Sequence, residues 1–285
     1  MLRNYFLPPR LQPQAAPPSV TLFEAGKRTN LFTLPPTKAP DRDSVVIFSM
    51  PKSGTILLAG ISAALAREQR LTFVSVLGEF YKKGLLSTEI PEEAANIFLP
   101  KGYCYGGLAT FPESFDIPIL GKCRSILIVR DPRDMLVSLY YSVKFSHPAP
   151  GAKSGSDSAE MPGRAAAQNA DIDTYVISQI ADFQQRLKRY AAVANEPGMR
   201  VYRYEDVIYK KREWVGDICQ HFGWKVPAIR QIEIADKSDV FPSTENEQSH
   251  VRQVHPGNYK AKLKPATIAA IEDAFAAEMD FFGYA

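Results

Sequence analysis

The chain has 285 residues, 45% hydrophobic and 23% charged, which is room for one large folded domain or two small ones. Lys plus Arg number 34 against 31 Asp plus Glu, and a net charge of +3 argues against a general nucleic-acid binder while leaving a local anion site open. Cys104, Cys123 and Cys219 are scattered and the histidines show no His-x-x-x-His pattern, so the chain reads as reduced, without a disulfide framework or zinc. No stretch reaches about 18 uncharged apolar residues, and Met1–Pro18 lacks the basic head and apolar core of an export signal. A soluble, cytoplasmic protein without stable membrane insertion is expected.

Residues 1–43 carry eight prolines, from Pro8 to Pro40, and show no sustained helical or strand period, which predicts an arm lying over the domain, or a partly disordered one, with no regular strands. The domain itself is expected over residues 44–285. Val45, Val46, Ile47 and Phe48 read as a buried strand, followed by the loop Ser49–Gly54 and a helix over Thr55–Arg67. Arg124–Arg130 repeats the pattern: a buried strand, then Asp131 as cap, Pro132 at the first helical position, and a helix to about Phe145. Residues 147–170, rich in Gly, Ser, Ala and Pro, read as a flexible loop of functional length. Ile172, Tyr175, Val176, Phe183, Leu187 and Tyr190 line a long amphipathic helix, Met199–Tyr204 forms a third strand, and Pro265 opens a last helix. Strands alternating with helices predict an α/β fold with a central parallel sheet covered on both faces.

Two places carry chemistry. In Pro51-Lys52-Ser53-Gly54-Thr55 a loop leaves a strand and enters a helix, so backbone N–H groups converge at the positive end of the helix dipole. Gly54 permits close approach, Ser53 and Thr55 add hydroxyls, and Lys52 adds a charge; the bland alternative is a turn with a surface lysine. The lysine precedes the glycine, so this is not a Walker A loop. Arg130 stands at the carboxyl end of a strand with Ser138 two helical turns on, either a phosphate clamp or a surface arginine paired with Asp134. Arg130 stands where a magnesium-holding carboxylate is expected in nucleoside triphosphate chemistry, which favours an anionic cofactor bound without metal.

These two motifs, in this order, resemble the sulfotransferase family, whose donor is 3'-phosphoadenosine 5'-phosphosulfate (PAPS) and whose fold is P-loop-like. The resemblance implies that Lys52, Ser53, Gly54 and Thr55 hold the 5'-phosphosulfate and that Arg130 and Ser138 hold the 3'-phosphate. It extends to Tyr204 in Tyr204-Glu205-Asp206, which would neighbour the adenine, and to Arg252 and Gly257 in a late loop. Gln253 and Val254 depart there from the family's Lys-Gly, weakening that loop's expected hold on the 3'-phosphate.

The catalytic base is less determined. Thr110 occupies the place of the histidine of many cytosolic members, and threonine is no base. Members acting on polysaccharides use a glutamate beyond the lysine, and Glu79 falls there among apolar neighbours, although it also has Lys82 and Lys83 beside it. Glu113 and His147 are the other candidates; His221, His250 and His255 read as surface or packing residues. The expected activity is transfer of a sulfonate group to the hydroxyl of a carbohydrate or other small natural product. A nucleotide-dependent phosphotransferase and a non-catalytic nucleotide-binding protein are the alternatives, and the oligomeric state is left open.

Overall fold

The computed structural model describes residues 17–24, 26–151, 161–242, 245–247 and 252–284. A five-stranded sheet organises the molecule, in the order β4-β5-β3-β6-β7 with every neighbouring pair parallel. The strands are β3 (Val45–Ser49), β4 (Thr72–Ser75), β5 (Tyr103–Leu108), β6 (Ser125–Val129) and β7 (Met199–Arg203), preceded by a separate hairpin of β1 (Ser19–Glu24) and β2 (Lys27–Thr33). Every residue of β3 and β6 is buried, because the sheet is covered on both faces and alternate side chains enter different cores. Val46, Phe48, Leu127 and Val129 join one core; Val45, Ile47, Ile126 and Ile128 join the other.

The helices divide between those two faces. α1 (Thr55–Glu68) follows β3 and covers the second core together with α7 (Lys211–Phe222) and α8 (Ala228–Lys237). α2 (Val76–Lys82), α3 (Pro132–Tyr141), α4 (Arg164–Asn169), α5 (Ile172–Ala194) and α10 (Pro265–Phe282) cover the first. The short α6 (Tyr204–Val207) and α9 (Tyr259–Lys262) complete the set. Among the described residues, no helix is long and apolar enough to cross a membrane.

Three expectations need correction. The segment 1–43 contains the β1–β2 hairpin, whose Val20 and Leu31 are buried in the first core; residues 1–16 lie outside the described ones. Its prolines flank the hairpin rather than interrupt it, so the alternation in Val20-Thr21-Leu22-Phe23 survives. Within 147–170, a six-residue helix, α4, follows residues 152–160, which lie outside the described ones. The helix expected to reach Phe145 ends at Tyr141, and Ser142–Ser146 continues as one wider π-type turn. Asp131 caps α3 as expected, accepting from the Arg133 N–H at 2.9 Å.

β5 has no clear periodicity because two glycines interrupt it. A Cβ on Gly106 would stand 2.6 Å from the Phe73 ring, which would have to shift to admit a side chain there.

Candidate active site

β3 and β6 end side by side, Ser49 opposite Ile128, and the loop Met50–Gly54 turns over them into α1. Met50 N–H donates to the Ile128 carbonyl at 2.9 Å and Ser53 N–H to the Met50 carbonyl at 3.2 Å, stapling the loop to the sheet. The turn needs left-handed backbone twice, at Lys52 (φ 63°) and Gly54 (φ 90°). At Gly54 there is a second constraint, since a Cβ would stand 3.3 Å from the Tyr204 ring. α1 starts without a side-chain cap and without an acidic residue in its first turn, so its N–H groups and dipole are left uncompensated.

Lys52, Gly54 and Thr55 line a cavity of about 820 Å³. The Ser49 hydroxyl donates to Thr55 Oγ1 at 2.8 Å, leaving the Thr55 proton for the cavity. Ser53 does not line it. Its buried hydroxyl lies 2.6 Å from the Met50 carbonyl and 3.2 Å from that of Ile128, satisfying backbone acceptors inside the turn rather than a ligand.

Arg130 follows β6 directly and is buried. Its Nη1 donates to the Lys52 carbonyl at 3.0 Å, its guanidinium lies 4.6 Å from the centroid of the Tyr204 ring, and Nη2 is 3.6 Å from Asp134. The arginine does pair with Asp134, but it is buried at the cavity and not on the surface. Asp134 also accepts from Gly257 N–H at 2.6 Å and Tyr259 N–H at 2.9 Å, so Gly257 anchors the late loop and does not line the cavity. The turn after Arg130 is fixed from behind, where Glu205 accepts from Asp131 N–H at 3.0 Å and from the Tyr284 hydroxyl at 2.7 Å.

A smaller pocket of about 40 Å³ is lined by Lys52, Arg130, Ser138, Arg252 and Gln253, among others. Burial, reinforced by Arg130 and Arg252, pulls the Lys52 ammonium down to about 8. Arg130 Nε and Gln253 Nε2 are buried without a hydrogen-bond partner. Three cations and two idle donors, set against the carboxylate of Glu247, surround one small space and fit an anion such as a phosphate group. Among the described residues, no three His, Cys, Asp or Glu side chains converge as a metal site.

Tyr204 lines the larger cavity; its hydroxyl donates to the Val254 carbonyl at 2.8 Å, and burial pushes its phenol up to about 12. Beyond it the cavity is walled by Leu57, Ile208, Lys211, Ser238 and Val240. Lys211 has no sequence signal, yet it is buried, donating to Ile208 O and to Asp239, each at 2.7 Å.

The opposite end is walled by Thr110, Leu139, Val143, His147, Met161, Tyr175 and Phe183. α5 contributes Tyr175, Gln179, Asp182, Phe183 and Arg186 at helical spacing, with Asp182 and Arg186 paired at 2.9 Å. The polar members of that face were hidden among the solvent-facing residues of an amphipathic helix. Of the three candidate bases only His147 lines the cavity. Its backbone is held by Ser142 and Arg164, and its ring lies 6.0 Å from that of Tyr81. Glu79 is set outside: it pairs with Lys82 at 2.7 Å on α2, because the apolar residues flanking it in sequence point away from it into the core. Glu113 is exposed and lines neither pocket. His221 packs beside β6, with Nε2 3.0 Å from the Ser125 carbonyl, His255 is hydrogen-bonded to Tyr209 at 2.7 Å, and His250 lies outside the described residues.

Residues 108–283 match the sulfotransferase domain family, more than half of the chain, although the match excludes the Lys52 loop. Among solved structures, mouse sulfotransferase SULT7A1 complexed with PAP is similar at 15% identity, covering 83% of this chain and 84% of that one, with a TM-score of 0.55. Retinol dehydratase, in complex with androsterone and inactive cofactor PAP, is similar at 12% identity over 93% and 90% of the two chains, with a TM-score of 0.53. At such identities the likeness establishes the shared fold. No curated protein matches the chain in sequence.

Proposed function

Because the chain belongs to the sulfotransferase domain family, we propose that it transfers a sulfonate group from PAPS to the hydroxyl of a small, largely apolar natural product. The observation that carries the donor is the pocket of Lys52, Arg130 and Arg252 with idle donors on Arg130 and Gln253. Arg130, Ser138 and Arg252 would hold the 3'-phosphate, and Lys52, Gly54 and Thr55 the 5'-phosphosulfate. Tyr204 would flank the adenine.

In the transfer, the acceptor oxygen forms a bond to sulfur while the bond from sulfur to the bridging phosphate oxygen breaks. Lys52, a compact ammonium at that end, neutralises the charge gathering on the departing phosphate oxygen. His147 takes the acceptor's proton, as the one candidate base on the cavity wall. The apolar walls at the acceptor end, Leu139, Val143, Met161 and Phe183, favour a hydrophobic alcohol or phenol over an extended carbohydrate.

The test is incubation with sulfonate-labelled PAPS and matched panels of phenols, alicyclic alcohols and oligosaccharides. Labelled products among the first two groups are expected. Label on oligosaccharides alone would move the acceptor class back to carbohydrate, and no product with any acceptor would favour a binding protein.

A further inference from the structure

Two carboxylates stand at the phosphate pocket that the transfer chemistry does not use. Glu247 lines it, beside Lys52, Arg130 and Arg252. Glu245 forms an ion pair with the buried Arg252. Lys262 bridges the two acids, with Nζ 3.3 Å from Glu245 and 3.6 Å from Glu247. The backbone fixes this arrangement, since Asn246 N–H donates to the Arg252 carbonyl at 3.2 Å. With Glu247 on its wall and Glu245 paired to Arg252, the pocket's cations are already partly answered from within the chain.

We propose that Glu245 and Glu247 are built-in counter-anions of this pocket, opposing a nucleotide's 3'-phosphate and so setting how tightly the enzyme holds its donor and its spent product. The proposal rests on the donor reading above. A phosphate entering beside Arg252 meets Glu247 as a like charge and competes with Glu245 for the same guanidinium. Lys262 supplies the place where the two carboxylates remain paired when that happens. Weaker holding of the spent nucleotide would speed its departure, a step that often limits turnover.

Titration calorimetry with 3'-phosphoadenosine 5'-phosphate and with AMP, which lacks the 3'-phosphate, tests this on the full chain. Wild type should prefer the 3'-phosphorylated nucleotide. Glu247→Gln should tighten it about tenfold and leave AMP unchanged, the scale of removing one nearby like charge. Glu245→Gln should move it in the same direction but by less, because the amide still accepts from Arg252. Unchanged or weaker binding of the 3'-phosphorylated nucleotide by Glu247→Gln would show that the carboxylate is a strut for Arg252, and would overturn the proposal. Equal gains for both nucleotides would also overturn it, by removing the link to the 3'-phosphate. If wild type itself fails to prefer the 3'-phosphorylated nucleotide, the donor reading falls and this inference with it.

Discussion

The two ends of the cavity are built by different means. At the donor end, the 50–55 loop and the Arg130 turn are held by backbone hydrogen bonds to the sheet, and the charges are buried in fixed relation to one another. At the acceptor end the wall comes from one helical face, a π-type turn and the short α4, with Arg164 of α4 tied by its side chain to the Val143 and His147 carbonyls. A rigid donor end suits recognition of a single nucleotide, whereas an acceptor end assembled from separate side chains can change its substrate without disturbing the sheet. Substitutions at the donor end should therefore alter nucleotide binding, and those at the acceptor end should alter turnover.

The sharpest test of that division is His147→Gln, which should lower kcat by about 10²–10⁴-fold and leave donor affinity intact, as single-turnover kinetics and calorimetry would show. Glu79→Gln, by contrast, should retain turnover, since that carboxylate pairs with Lys82 away from the cavity. Next in size, Arg130→Met should weaken 3'-phosphoadenosine 5'-phosphate by roughly 10- to 150-fold while sparing adenosine 5'-phosphosulfate. Equal losses for the two ligands would make Arg130 a scaffold residue.

A smaller effect comes from pH. Lys52 is charged below about 8, so kcat/KM for the donor should fall above that value, by at most about tenfold per unit, as the free enzyme loses the ammonium. Lys52→Met should lack that alkaline limb. Smallest of all, Ser53→Ala should cost about 1 kcal/mol of stability through the lost inward hydrogen bond and leave donor affinity within a factor of about two. A large loss of donor affinity would return Ser53 to the binding site.

The end proposed for the donor was the more readable one, because its parts are contiguous: a buried strand, a Lys-Ser-Gly-Thr turn, and an arginine directly after the next strand. Residue type, however, does not reveal which way a hydroxyl faces, which is why Ser53 and Thr55 looked equivalent and are not. The acceptor end was readable only at Thr110 and His147. Thr110, His147, Asp182 and Met161 come from distant segments, and only the packing of α4 and α5 brings them to one wall. Glu79 misled because apolar neighbours along a helix lie on other faces and do not desolvate the residue between them. The sheet's edge was missed for a related reason, since the glycines of β5 erase its periodicity.

Lys52 adopts a left-handed backbone that glycine takes freely and a side-chain-bearing residue takes at a cost of about 1 kcal/mol. The fold by itself would be better served by glycine at this position, while the role proposed for Lys52, neutralising a departing phosphate, calls for an ammonium there. Selection for durability and selection for activity therefore pull this one site in opposite directions. Lys52→Gly should melt no lower than wild type, and should make a soluble, well-folded and inactive protein.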